Sequence, residues 1–110
     1  MKLAYVDIRY DNELYIEPIM LIGELESRGF EVSPSSSIDD FLSEYGDLSN
    51  FEGILYNPGK LEQWRIKDIP IRFPSLKFAM VDLENGSRNG LPVFDYSNIH
   101  GIVNFFNSER

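Results

Sequence analysis

The feature that most constrains this chain is a set of short apolar runs without polar alternation, separated by stretches of helical spacing. Leu3-Ala4-Tyr5-Val6, the run Phe51 to Tyr56 and the run Leu76 to Leu83 are of this kind. A strand with one wet face alternates apolar and polar residues, whereas a run that does not alternate is covered on both faces. Between and after these runs, apolar residues recur at helical spacing: Leu14, Pro18, Leu21, Ile22 and Leu25, then Ile38, Phe41, Leu42 and Tyr45, and last Ile99, Ile102, Val103 and Phe106. Strand and helix in alternation, joined by short connections, point to a mostly parallel sheet with helices on both faces.

Punctuation residues set the expected boundaries. Asn12 can cap the first helix, or the helix begins at Glu17 with Pro18 in its first turn. Gly29 stops it, and Gly29 to Ser33 reads as a second strand ending at Pro34. Ser37 followed three residues later by Asp40 is a carboxylate version of the capping box, and Gly46 closes that helix. Asn57-Pro58-Gly59 is a turn signal that stops the third strand. Leu61 and Trp64 suggest a short helix that Pro70 and Pro74 break. Pro92 to Tyr96 reads as a fifth strand, and Ser97 can cap the last helix. Asn85-Gly86 or Asn89-Gly90 could close a hairpin, so the last strand is either parallel or antiparallel. The expectation is an α/β fold: a three-layer, doubly wound sheet of five mostly parallel strands forming one domain over residues 1–110.

Composition removes several chemistries. The 110 residues contain no cysteine, which excludes a disulfide framework, thiolate zinc and a cysteine nucleophile. A net charge of -8 argues against nonspecific binding to nucleic acid or to an anionic membrane, since both need a positive surface. No window approaches the run of about 20 apolar residues that a spanning helix needs. The first ten residues are interrupted by Asp7 and Arg9, unlike a signal peptide. The expected location is the cytoplasm.

Across nearly all of its length, this order of elements resembles a response-regulator receiver domain, or more broadly the flavodoxin-like fold. Leu3-Ala4-Tyr5-Val6-Asp7 looks like the family's first strand ending in an acid. Phe51-Glu52-Gly53-Ile54-Leu55-Tyr56-Asn57-Pro58 looks like its third strand running into the phosphorylation loop. The resemblance implies the strand order 2-1-3-4-5. It also exposes departures at the chemical positions. The family places adjacent acids after the first strand to hold Mg²⁺, but here Asp7 is followed by Ile8. The phosphoacceptor aspartate falls at Asn57, whose amide is no nucleophile for phosphoryl transfer. The family's Thr or Ser after the fourth strand is Asp82, and its Lys beside Pro is replaced by Asp95-Tyr96-Ser97. The resemblance therefore implies a receiver-like domain without receiver chemistry.

Ligands of open parallel sheets bind at the carboxyl ends of the strands. Asp7, Asn57, Asp82 and Asp95 fall at or near those ends, with Asp11 in the first loop. Asp7 and Asp82 are thus candidate ligands for Mg²⁺ or Ca²⁺, which prefer hard oxygen donors. Against this, Asp and Asn are common in turns and caps because they satisfy local backbone N–H groups. His100 has no second His or Ser-His-Asp spacing near it, and reads as a helix-surface residue. Ser35, Ser36 and Ser37 lack the G-x-S-x-G elbow of a nucleophile. The loop Arg9-Tyr10-Asp11-Asn12-Glu13 has acids and no glycine, which disfavours flavin and nucleotide phosphates.

Two functional expectations follow. The first is a noncatalytic regulatory or protein-interaction domain, with Trp64, Tyr96 and His100 as possible partner contacts. Tyr10 and Phe73 are further aromatic anchors of the same kind. Its expected mating surface is the last helix with the loop Asn85 to Leu91, toward a protein partner or a second copy in a homodimer. The alternative is a small metal-dependent enzyme or phosphate-ligand binder, with Asp7 and Asp82 holding Mg²⁺.

Overall fold

A computed structural model describes residues 1–59, 64–81 and 91–108. The strands β1 (Lys2–Asp7), β2 (Glu31–Ser35), β3 (Gly53–Asn57), β4 (Lys77–Val81) and β5 (Val93–Phe94) form one sheet in the order β2-β1-β3-β4-β5. Every neighbouring pair is parallel. The fold is a three-layer α/β sheet of flavodoxin-like, receiver-like topology. Met80 lies opposite Val93 and Val81 opposite Phe94 in a parallel register, so the hairpin alternative is overturned. The dipeptides Asn85-Gly86 and Asn89-Gly90 lie outside the described residues, as does Asp82.

The two-residue period of the strands divides the core between the sheet's faces. Ala4, Val6, Ile54, Tyr56, Phe78 and Met80 pack on one side beneath α2 (Ile38–Tyr45) and α3 (Arg65–Arg72). Leu3, Tyr5, Leu55, Ala79 and Val81 pack on the other beneath α1 (Glu17–Ser27) and α4 (Ile99–Asn107). The strands lack polar alternation because helices cover both faces. Gly53 opens β3 for a packing reason: a Cβ there would stand 2.8 Å from the ring of Phe106. At the same end, the Lys77 ammonium donates to the carbonyls of Phe105, Phe106 and Ser108, placing a cation where the α4 dipole is negative.

Several boundaries differ from expectation, each for a local reason. Asn12 does not cap α1; its Oδ1 accepts from the Leu14 N–H in a turn of its own, and the helix starts at Glu17 with Pro18 in the first turn. There the missing N–H of proline has no partner to lose. β2 runs through Pro34 to Ser35, which is allowed because β2 is an edge strand. The Glu31 N–H points to β1, donating to the Met1 carbonyl, so Val32 and Pro34 face outward by alternation. Pro34 has no N–H to offer there, and its carbonyl accepts from the Tyr45 hydroxyl. That edge is blunted against further strand pairing.

α3 continues through Pro70, which was expected to end it. A proline inside a helix costs roughly 3 kcal/mol. Ile66 and Ile69 are both buried against the sheet, and each such side chain contributes about 1.5–3 kcal/mol. Packing therefore outweighs the local preference. β5 is only two residues long, and Asp95 and Tyr96 belong to the corner that follows it. Finally, Asn98 caps α4 in place of Ser97, its Oδ1 accepting from the Gly101 N–H at 3.0 Å. No helix among the described residues is long and apolar enough to cross a membrane.

Candidate functional site

Asp7 ends β1 directly opposite Asn57, the last residue of β3. Tyr5 precedes Asp7 by two positions, so the strand period puts both side chains on the α1/α4 face. Asn57 shares that face with Leu55 by the same rule. Tyr96 reaches the same face from the β5 edge of the sheet, aimed by a tight corner. There Asp95 Oδ1 accepts from the N–H and hydroxyl of Ser97, and the Asp95 carbonyl accepts from the Asn98 N–H. Such Asx turns fix the chain locally and leave the intervening side chain committed to one direction.

These four residues form one buried polar network. The hydroxyls of Tyr5 and Tyr96 both donate to Asp7 Oδ2, at 2.6 and 2.7 Å. Asp7 Oδ1 accepts from the Arg9 N–H at 2.9 Å. Asn57 Nδ2 donates to the Tyr96 hydroxyl at 2.9 Å. The Arg9 guanidinium lies over the rings of Tyr15 and Tyr96, 4.8 and 5.9 Å from their centroids, and closes the top. Asp7 is 0% exposed, Asn57 3% and Tyr96 7%.

Burial raises the Asp7 pKa above the ordinary aspartate value. The hydrogen bonds from Tyr5, Tyr96 and the Arg9 N–H, and the Arg9 charge, pull the other way without cancelling it. Tyr5 and Tyr96 are raised as well, first by burial and then by the Asp7 charge beside them. Both phenols stay protonated and remain donors. A cation seeking Asp7 would have to displace these three donors and enter a spot without solvent. Asp82, the second expected metal ligand, lies outside the described residues. Among the described residues, no group of three or more His, Asp or Glu is placed to hold a metal ion.

The remaining sequence candidates are scattered. Asp95 is exposed and occupied in its turn, and Asp11 is exposed with a left-handed φ of 68°. Trp64 is exposed just before α3, stacked by the Arg65 guanidinium, which also pairs with Asp39 of α2. His100 is exposed on α4. Tyr96 is buried, with its hydroxyl turned inward, so it offers a partner almost no surface. Ser36 donates to Asp40 Oδ2, and Ser37 accepts from the Asp40 N–H, which are loop and cap duties.

Tyr5 is the functional-site residue that sequence reading missed. One signal was present: a tyrosine two residues before a strand-terminal acid, in a strand otherwise apolar, places its hydroxyl on the acid's own face. Trp64, one of the expected partner contacts, is among the large exposed apolar side chains. Leu14, Ile16, Ile19 and Met20 lie just before or in the first turn of α1, Ile8, Tyr45 and Ile71 are exposed elsewhere, and α4 presents none among the described residues. No known family model matches this sequence, and no curated protein matches it either.

Proposed function

We propose that this chain is a noncatalytic, receiver-like regulatory domain that acts by binding another protein. One observation carries the reading: the acid at the receiver-like metal position, Asp7, is sealed by three internal donors. The position of the receiver phosphoacceptor is filled by Asn57, whose amide is spent on Tyr96. With Asp7 and Asn57 taken up by their own neighbours, this reading puts the exposed apolar side chains to use as the contact surface.

The test is to add millimolar Mg²⁺, with and without acetyl phosphate, and to read the melting temperature and intact mass. Neither is expected to change. A Mg²⁺-dependent rise in melting temperature that disappears in Asp7→Ala would overturn the reading and favour a metal-dependent site.

A further inference from the structure

A groove of about 810 Å³ runs along α1, between that helix, the segment 9–15 and Pro34 of β2. Ile16 and Ile19, each 65% exposed, lie on its helical wall. With Gly23 they follow the i, i+3, i+7 spacing of a single helical stripe. Nothing lies within 4 Å of where a Gly23 side chain would begin, so the groove stays open at that point. Its charged lining is three acids, Asp11, Glu13 and Glu26, against one base, Arg9, whose guanidinium is turned over the rings of Tyr15 and Tyr96.

We propose that this groove docks an amphipathic helix of a partner protein, apolar on the seated face and lined with Lys or Arg along its flanks. The inference rests on the interaction-domain reading and names the partner's chemistry. Helix-in-groove binding reads anchors at the spacing that this stripe presents. Strand addition to the nearby β2 edge is disfavoured at Pro34, which lacks an N–H and whose carbonyl accepts from the Tyr45 hydroxyl. A second copy is the wrong occupant. Twofold pairing of this face would set the mostly acidic lining against itself in a chain of net charge -8. A basic partner meets the same lining with opposite charge.

The experiment titrates the isotope-labelled chain with a synthetic Leu/Lys peptide of helical spacing and follows backbone amide signals. Two control peptides have the same length: an alternating Leu/Lys isomer and a helical Leu/Glu analogue. Saturable shifts confined to residues 9–26 and 34 are expected with the helical Leu/Lys peptide alone. Gly23→Leu, which fills the open point without changing charge, should weaken binding about tenfold. A Cβ at this position meets nothing within 4 Å, and leucine improves helix propensity, so the melting temperature should not fall. Ile19→Glu should also weaken binding, although simple charge attraction would be strengthened by it.

Equal response to the alternating or acidic peptide, binding that survives Gly23→Leu, or no binding at all would overturn the proposal. So would a dimer in solution that Gly23→Leu dissolves. Failure here with Mg²⁺ still silent removes the groove and leaves the noncatalytic reading standing. A Mg²⁺ response at Asp7 removes that reading whatever the peptide does.

Discussion

The Tyr96 hydroxyl donates to Asp7 Oδ2 at 2.7 Å across 89 residues of sequence, fastening the corner after β5 to the end of β1. It also accepts from Asn57 Nδ2, so one phenol oxygen joins three separate chain segments. Tyr96→Phe removes this oxygen while keeping the ring. It leaves the Asn57 amide without that partner and takes one donor from a buried carboxylate. A loss of about 1–3 kcal/mol in unfolding free energy is expected from urea denaturation. A loss below about 0.5 kcal/mol would show that water replaces the phenol without difficulty.

The raised Asp7 pKa has a definite sign for stability. The folded value lies above the unfolded one, so the folded state holds the proton more tightly. The resulting stabilisation is fully present below the unfolded aspartate pKa and is lost as pH rises through the folded pKa. Asp7→Asn cannot show this loss. The melting temperature of the native chain minus that of Asp7→Asn should therefore fall as pH is raised from the ordinary aspartate range upward. A difference that is flat with pH, or that rises, would contradict the assignment. Using the difference cancels the repulsion among the other acids, which also grows with pH.

Gly53 faces Phe106 at a distance that leaves no room for a methyl group. Gly53→Ala should destabilise by about 1–3 kcal/mol, the usual cost of overfilling a packed core. The same substitution made on Phe106→Leu should cost distinctly less, because the smaller side chain frees the space. Equal costs in the two backgrounds would show that the clash is relieved elsewhere.

Lys77 caps α4 from the start of β4. Lys77→Met keeps the aliphatic stem and removes the charge and the donors. A loss of about 0.5–2 kcal/mol is expected, from the helix dipole together with the freed carbonyls. Hydrogen exchange should speed up first in the last turn of α4. Unchanged exchange there would mean that solvent serves those carbonyls equally well.

Where packing and local preference agree, the elements were legible from the residues. The strand cores from Leu3, Ile54 and Phe78 onward, the Ser37 cap and the Asn57-Pro58-Gly59 turn all stand as read. Pro70 misled because Ile66 and Ile69 bury on the same helix, a tertiary gain that a local rule does not contain. Ser97 misled because Asp95 claims it first, which frees Asn98 to cap α4. Pro34 misled because its position on the sheet edge depends on strand order.

By itself, the sequence determined a doubly covered, mostly parallel α/β sheet, since periodicity and turn chemistry are local properties. It also determined that an amide stands at Asn57 and that no thiol is available. Only the tertiary structure decided that Asp7 is closed rather than open. That outcome depends on Tyr5 sharing a strand face and on Tyr96 arriving from the far end of the chain. A carboxylate looks the same in sequence whether it faces water, metal or two phenols. Its neighbours in space set its proton, its partners and its availability.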